Sequence, residues 1–440
     1  MTLKRVFLVA ATSVSCIMFA QNSNRQKLAD YLDSLSVHHK VMGSFAFAEN
    51  DQPAFLKVTG FSDAAKQQKA NMNTQYRIGS ISKTFTAVLV MKAVEDKKLS
   101  FDTKLSQFFP EIENADKISI AHLLQHRTGI HNLTDEAEYW NYNTAPQTEE
   151  SLVSIIKKYK SDFQPGTKYE YSNSNYILLG FILEKVYKKT YAQLIQDKIA
   201  APLKLTLTQV GGKIDPSKNQ ALSYVYSNGS YEPWQETDMS VPGGAGNIIS
   251  TPTELLKFII ALENGKLITK NSLSQMKGFT DNYGYGITKV PFDKYSGYGH
   301  NGGIDQFRSV LYYFPELKVG VSAITNQSDY DNNDISIKML QTATGKDFRM
   351  PDFKEISVPE GLLKKYEGLY KADGFPLDIK IFSEGGKLKG QATGQGAFPL
   401  EAVSETEFKF DMAGIRMKFN AEKGTMDFSQ GANQFTFKKQ

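Results

Sequence analysis

Cysteine is the scarcest reactive residue in this 440-residue chain, because it occurs once, as Cys16. Cys16 lies in an N-terminal apolar run that we expect to be removed from the mature protein. The mature chain would then hold no thiol for catalysis, for a metal site or for a disulfide. The sequence therefore excludes cysteine hydrolases and zinc–thiolate proteins, and it predicts neither a metal nor a cofactor.

Long hydrophobic runs are also rare, and the clearest one is residues 6–20. This run follows two basic residues and is too short and too close to the N-terminus for a membrane span, so residues 1–20 are interpreted as a secretory signal cleaved after Ala20. Lipid attachment at Cys16 is the alternative, and Ser13-Val-Ser disfavours it because a lipobox has leucine and small residues before the cysteine. We expect a periplasmic or secreted protein.

The sequence has no concentration of positive charge. Loss of Lys4 and Arg5 with the signal lowers the formal net charge from +4 to +2. No basic run or arginine-rich helix remains that could follow a phosphate backbone, so nucleic acid is not an expected partner. Beyond the signal, no apolar stretch approaches the roughly 20 residues of a spanning helix. The expected partner is a small-molecule or peptide substrate, and the oligomeric state stays open.

Apolar residues are abundant enough for large cores, at 41% hydrophobic and 12% aromatic content. This composition indicates a globular protein of two or three domains. In residues 21–350, a hairpin is predicted at 43–48 and 54–59, helices in the middle, and a strand pair at 308–314 and 318–325. Strands at both ends with helices between them predict an α+β domain whose sheet joins segments distant in sequence.

The pattern changes after residue 350 to short strands with one apolar and one polar face. The clearest are residues 377–382 and 415–419. We predict a linker at residues 351–359 and a small all-β domain, a barrel or a sandwich, at residues 360–440.

Ser80-Ile-Ser-Lys83 opens a stretch, Thr84–Met91, that is apolar on nearly every side. A serine hydroxyl is a poor nucleophile at neutral pH, and a lysine one helical turn further on can take its proton. A helix without a polar face is buried, so Lys83 should be partly desolvated, which would lower its pKa and favour the proton-accepting amine. Ser80 and Lys83 are therefore a candidate nucleophile and base.

Two further motifs follow along the chain, Tyr171-Ser-Asn173 in a turn-rich segment and His300-Asn-Gly-Gly303 before the predicted strand pair. In this order, and with the connecting phrases HLLQHRTG, PGT and GNIISTPTELLKF, the three motifs resemble the β-lactamase-related serine hydrolases of the class C type over roughly residues 27–345. D,D-carboxypeptidases, D-aminopeptidases and esterases belong to the same group. The segment from Tyr366 is similar to the lipocalin-like β-domain that some members carry.

The resemblance implies an antiparallel sheet flanked by helices, a helical subdomain, and an active site between them. Ser80 would form an acyl-enzyme, and its proton would pass to Lys83, to Tyr171, or to the pair acting together. Because a free tyrosine titrates near pH 10, Tyr171 can act as the base only if a neighbouring cation stabilises its phenolate.

The resemblance also assigns the oxyanion hole to the backbone N–H groups of Ser80 and Gly303. The residues expected to bind substrate are Asn173, His300, Asn301 and Gly302.

His300 occupies the place where β-lactamases of this type have a lysine. A neutral histidine suits a substrate carboxylate less well than a permanent cation, which argues against an efficient β-lactamase. The predicted substrate is a D-alanyl cell-wall peptide or a related amide or ester. An esterase or weak β-lactamase of the same fold is one alternative. The non-enzyme alternative is a penicillin-binding or sensing protein with little turnover, or one that holds a small apolar ligand in its β-domain.

His122 and His126 are spaced as two ligands on one helix face would be. They lack the glutamate of an HExxH zinc site, so we expect them to be packing residues rather than metal ligands. The sequence also lacks the G-x-S-x-G turn of the α/β-hydrolases.

Overall fold

A computed structural model describes residues 23–354, 356–430 and 433–440. The predicted signal, its cleavage site and Cys16 lie outside these residues. Within the described ranges, no helix combines the length and the apolar character needed to cross a bilayer.

The chain forms two compact units. The described part of the first unit runs to Ser328 and includes Ile335–Phe348, and the second comprises Asp329–Asp334 and Arg349–Gln440. The domain limits predicted from the sequence, at residues 20, 350 and 359, stay predictions.

The α-helices follow one another along both units. In chain order they are α1 (residues 23–37), α2 (Ser82–Glu95), α3 (Ile120–Leu124), α4 (Tyr139–Tyr142), α5 (Glu149–Lys158), α6 (Asn173–Tyr187), α7 (Tyr191–Ile195), α8 (Ala201–Leu203), α9 (Pro252–Glu263), α10 (Lys270–Met276), α11 (Asn332–Ala343) and α12 (Glu360–Tyr366).

The strands of the first unit form one large sheet and several small ones. In chain order they are β1 (Val41–Glu49), β2 (Gln52–Thr59), β3 (Phe61–Asp63), β4 (Gln68–Lys69), β5 (Tyr76–Arg77), β6 (Gln209–Val210), β7 (Tyr224–Ser227), β8 (Ser230–Pro233), β9 (Ile248–Ser250), β10 (Thr288–Phe292), β11 (Tyr295–Ile304), β12 (Phe307–Phe314) and β13 (Val319–Ser328).

The large sheet is antiparallel, with the strand order β10-β11-β12-β13-β1-β2. Phe45 of β1 faces Lys57 of β2 on one side and Ala323 of β13 on the other. The hairpin predicted at the N-terminal end is thus confirmed, and so is the joining of segments distant in sequence. Pro53, which lies between the two predicted strands of the hairpin, is inside β2 rather than in the turn. A proline is tolerated there because β2 is an edge strand, where the missing N–H removes no hydrogen bond to a neighbouring strand.

Helix α2 lies in the core of the first unit. Its residues from Ser82 to Met91 are all buried, which matches the absence of a polar face in the sequence. Phe85 stacks on Phe258 of α9 with ring centroids 3.8 Å apart, and α2 also contacts α6. The start of α2 is therefore held rigidly at the centre of the unit.

The second unit is a closed antiparallel barrel that follows α12. Its strands are β14 (Gly368–Lys371), β15 (Ile379–Glu384), β16 (Lys387–Ala392), β17 (Phe398–Ala402), β18 (Glu407–Phe410), β19 (Ile415–Asn420), β20 (Thr425–Gln430) and β21 (Asn433–Lys439).

Alternation in β19 shows how the barrel is filled. Ile415, Met417 and Phe419 are buried, whereas the residues between them are exposed. Aromatic side chains such as Tyr366 and Tyr370 pack in the same core. The predicted fold class, an α+β hydrolase-like domain followed by a small β-barrel, is confirmed, and α12 is an addition that the strand pattern did not predict.

Candidate active site

Ser80 lies in a single 3₁₀ turn, Gly79–Ile81, which leads directly into α2. Lys83, in the first turn of α2, places Nζ 2.9 Å from Ser80 Oγ. Strand β5 fixes the approach to this turn, because its partner β9 continues to Ile248, whose carbonyl accepts from the N–H of Ile78. The structure therefore brings the predicted nucleophile and base into contact.

The Lys83 amine is buried among neutral oxygen atoms. The residue has no solvent exposure, and Nζ also lies 2.8 Å from Asn173 Oδ1 and 2.9 Å from the Ala245 carbonyl oxygen. Burial lowers the pKa of Lys83 well below its usual value, and no nearby carboxylate opposes this shift. A neutral amine can donate two N–H groups to Asn173 and Ala245 and direct its lone pair at Ser80.

Tyr171 completes the contacts of the Ser80 hydroxyl. Its phenol oxygen lies 3.0 Å from Ser80 Oγ, and the Lys83 Nζ lies 4.9 Å from the centre of its ring. Burial raises the pKa of Tyr171, and the hydrogen bond with Ser80 offsets only part of this effect. The two pKa shifts together favour a neutral Lys83 as the base and a neutral Tyr171 as a proton donor.

His126 anchors an aromatic cluster beside Tyr171. Its ring centre lies 4.3 Å from that of Tyr171 and 4.8 Å from that of Tyr283. Nδ1 accepts hydrogen bonds from the Ser172 backbone N–H and the Asn175 amide, so the proton of the neutral ring is on Nε2. Burial also lowers the pKa of His126. His126 therefore makes packing contacts, and it helps to position the segment that carries Tyr171.

His122 takes a different place, at the start of α3. Its backbone N–H bonds to the Ser119 hydroxyl and its Nδ1 faces the Ser119 N–H, which forms a capping box. The two histidines that are spaced like metal ligands thus serve separate local structures.

His300 lies on β11 and is 3% exposed. Its Nδ1 is 2.5 Å from the Asn301 carbonyl oxygen, which requires a donor, so Nε2 accepts from the Tyr283 hydroxyl at 3.0 Å. Burial, followed by the nearby Lys83, lowers the pKa of His300 to about 3. The ring is neutral and both nitrogens are occupied. Contact between His300 and a substrate stays a prediction.

The glycines of the third motif let β11 approach the Ser80 turn closely. Gly79 has φ +51°, and a methyl group on it would lie 2.8 Å from the Gly303 nitrogen. A methyl group on Gly302 would lie 2.2 Å from the Ile78 oxygen and 2.9 Å from the Ser80 nitrogen. The N–H of Ser80, at the start of a helical turn, has no partner within that turn. The two predicted oxyanion-hole donors are therefore close together, and their role stays a prediction.

Asn173, the first residue of α6, is held by a loop that sequence reasoning missed. The Asn132 side-chain oxygen accepts from the backbone N–H of Asn173 at 2.9 Å, and Thr134 Oγ1 accepts from its side-chain amide at 3.0 Å. Asn132 and Thr134 follow the HLLQHRTG phrase, which resembles the family, by a few residues, and this proximity was the available signal. Asn173 thus positions Lys83, and its contact with a substrate stays a prediction.

A cavity of about 380 Å³ opens beside Ser80 and Gly303. Its wall is largely apolar, and Trp140, which is 57% exposed, lies on it. The polar side chains on the wall include Ser80, Thr134, Tyr139, Asn173, Thr237, Asp305 and Arg308. Tyr171, His300, Asn301 and Gly302, all predicted site residues, do not line this cavity.

Arg77, at the end of β5, is a buried residue that bonds to residues of the cavity wall. It is 1% exposed and bonds to Asp305 at 2.7 Å, to Glu236 at 3.1 Å and to the Thr237 carbonyl at 2.7 Å. Its partners lie about 160 and 230 residues away, so no local pattern could reveal them.

The comparison with known families agrees with this geometry. The family model described as Beta-lactamase matches residues 28–345. The chain belongs to this family, and it is a serine hydrolase.

Named relatives fall within the same group. Teichoic acid D-alanine hydrolase of Staphylococcus aureus is 28% identical over 289 residues, which cover 64% of this chain and 70% of that protein. The D-amino acid amidase of Ochrobactrum anthropi SV3 superimposes with a TM-score of 0.64 at 22% identity, over 74% of this chain and 98% of the other. The octameric penicillin-binding protein homologue of Pyrococcus abyssi gives 0.66 at 23% identity, over 93% and 99%. These two structures support the fold.

Proposed function

We propose that the chain hydrolyses esters or amides whose acyl group is D-alanine or a related D-amino acid, through an acyl-enzyme on Ser80. The observation that carries this proposal is the buried Lys83 amine, 2.9 Å from Ser80 Oγ and without a carboxylate to hold its proton. The relatives named for D-alanine and D-amino acid hydrolysis support the choice of acyl group.

Acylation follows from the contacts of Ser80. Its Oγ forms a bond to the substrate carbonyl carbon while the hydroxyl proton moves to Lys83 Nζ, and the N–H groups of Ser80 and Gly303 receive the oxyanion. Tyr171 then gives its phenolic proton to the leaving oxygen or nitrogen and regains one from the Lys83 ammonium, as the bond to the leaving group breaks. In deacylation, water replaces the leaving group and the same proton transfers run in reverse.

The neutral groups around Tyr171 favour an uncharged leaving group. His126, Tyr283 and His300 carry no charge there, because burial opposes the ionised form of each. A carboxylate on the leaving group, as in a peptide that ends in D-alanine, would find no cation among these side chains. An ester or amide is therefore proposed ahead of D,D-carboxypeptidase activity, and a β-lactam is expected to be a weak substrate.

We also propose that the protein is exported. The N-terminal sequence has the features of a signal peptide, and the similarity to a teichoic acid D-alanine hydrolase supports export. Intact mass of the protein from the extracytoplasmic fraction should show a chain that begins near residue 21. A full-length chain in the cytoplasmic fraction would contradict export.

Stereochemistry and turnover test the proposed function. Matched D- and L-alanyl methyl esters and amides, each in a free and an N-acetylated form, a peptide ending in D-alanyl-D-alanine and a β-lactam should be compared by kcat/KM, with Ser80→Ala as the blank. We expect the D-alanyl ester or amide to be hydrolysed fastest and Ser80→Ala to be inactive. Equal rates for the D and L forms would refute the proposed acyl group. Stable acylation without product release would instead favour the penicillin-binding or sensing alternative.

A further inference from the structure

We infer that Arg308 recognises a negatively charged group on the acyl part of the substrate. The inference deepens the proposed function and rests on its acyl-enzyme at Ser80. Arg308 lies on β12 directly opposite Gly303 of β11. A methyl group on Gly303 would lie 3.6 Å from Arg308 Cδ and 3.7 Å from its Nη1. The guanidinium is therefore beside the proposed oxyanion donor and on the cavity wall.

The guanidinium has hydrogen-bond capacity that the protein leaves unused. Nη1 donates to the backbone carbonyls of Asp305 and Phe307, at 3.1 and 2.8 Å. Among the described residues, nothing accepts from its Nη2 or Nε, and no carboxylate forms an ion pair with it. An arginine keeps its charge in proteins and presents five N–H donors, so a partly buried guanidinium with free donors can bind an anion.

The Asp305 carboxylate, in the same cavity, already has a partner for each of its oxygens. One oxygen of Asp305 accepts from Arg77 at 2.7 Å, and the other accepts from the Thr237 backbone N–H at 3.0 Å. Arg77 also forms a salt bridge with Glu236. The cavity thus offers an approaching ligand an unpaired cation at Arg308 but no unpaired carboxylate.

The position of Tyr171 shows which part of the substrate enters the cavity. In the proposed reaction, Tyr171 protonates the leaving atom, so the leaving group lies on its side of Ser80. The cavity is lined by Ser80 and Gly303 and does not include Tyr171. The acyl chain therefore extends into the cavity, towards Arg308.

This arrangement selects a substrate class. The ammonium of an unblocked D-alanine would meet a cation without a compensating free carboxylate, which is unfavourable in a partly desolvated site. An N-acylated D-alanine whose N-acyl chain ends in a carboxylate would pair with Arg308. The preferred substrate is thus an acidic N-acyl-D-alanyl ester or amide.

Two pairs of esters test this inference. The first pair is the 4-nitrophenyl ester of N-succinyl-D-alanine and the same compound with its succinyl carboxylate methylated. The second pair, 4-nitrophenyl hydrogen succinate and its methyl ester, requires no recognition of D-alanine. We expect wild type to favour the acid over the methyl ester in kcat/KM by roughly tenfold to a hundredfold, the range for a charge-assisted hydrogen bond. Arg308→Met should bring the ratio close to one, and Arg308→Lys should retain part of it.

The ratio separates recognition from structural damage, because a distorted site would slow both members of a pair equally. Arg416→Met, an exposed change on the barrel surface, controls for net charge and should leave the ratio unaltered. A wild-type ratio near one, or a preserved ratio in Arg308→Met, would overturn the inference even if D-alanyl esters are hydrolysed. If the D-alanyl pair is inert but the second pair shows the Arg308-dependent preference, the inference stands and the proposed acyl group fails.

Discussion

Asn173→Asp is the most informative change for the role of Lys83. It replaces an amide oxygen 2.8 Å from Lys83 Nζ by a carboxylate of nearly the same shape. At an effective dielectric constant of about 20, a full charge at that distance attracts the ammonium by about 6 kcal/mol. Desolvation of the carboxylate offsets part of this energy, but even a quarter of it, about 1.5 kcal/mol, raises the ratio of ammonium to neutral amine at Lys83 about tenfold.

The direction of the pH dependence follows from this pairing. In wild type burial lowers the pKa of Lys83, so acylation should depend on pH less between pH 7 and pH 9 than in the variant. In Asn173→Asp the carboxylate raises the pKa of Lys83, so we expect acylation at pH 7 to fall by roughly tenfold and to recover as the pH rises. Single-turnover acylation by a 4-nitrophenyl ester measures this.

Asn173→Ala is the matched control, because it removes the same contact without adding charge. Its acylation rate should fall, but the dependence of that rate on pH should stay as it is in wild type. An Asn173→Asp protein whose acylation rate and pH dependence match those of wild type would show that a neutral Lys83 is not the base.

Three further changes probe how the site is held. Gly79→Ala places a methyl group 2.8 Å from Gly303 on a left-handed backbone, so acylation should drop sharply and the melting temperature should fall. Gly212→Ala is the control, because Gly212 has open space around it, and it should have neither effect. Arg77→Met leaves two carboxylates without their shared cation and should cost about 3–5 kcal/mol in chemical denaturation, and a loss below about 1 kcal/mol would contradict its structural role. Burial lowers the pKa of His131, but its two carboxylate partners raise it above the usual value. The stability that protonated His131 gives the folded protein is therefore fully present below about pH 6.5, and it is lost as the pH rises through the folded-state pKa. His131→Asn should lower the melting temperature at pH 6 but not at pH 9.

The contact between Ser80 and Lys83 could be predicted from the sequence, because it depends on local geometry. Lys83 follows Ser80 by one helical turn, and the apolar stretch after it predicts burial, which the structure confirms. The hairpin and the strand pair were predicted from short strand-like segments, and the structure pairs both. Strand β11 was harder to predict, because glycines at positions 297, 299, 302 and 303 are typical of a turn. At positions 297, 299 and 302 neighbouring backbone and ring atoms leave no room for a β-carbon, which explains glycine in a strand there.

The walls of the site could not be predicted, because they depend on contacts between remote segments. Arg77 meets Asp305 across 228 positions in the chain, and Arg308 faces Gly303 through strand register. The position of His300 was predicted only as part of a motif. Its neutrality depends on burial and on Tyr283, and neither can be inferred from the motif.

The central claim is that Ser80 is the nucleophile, and mapping a covalent adduct tests it most directly. The purified chain should be labelled with a fluorophosphonate or a fluorescent penicillin, digested, and analysed by mass spectrometry. We predict a single adduct on the peptide that contains Ser80, and neither labelling nor turnover in Ser80→Ala. An adduct at another residue, or undiminished turnover in Ser80→Ala, would contradict it.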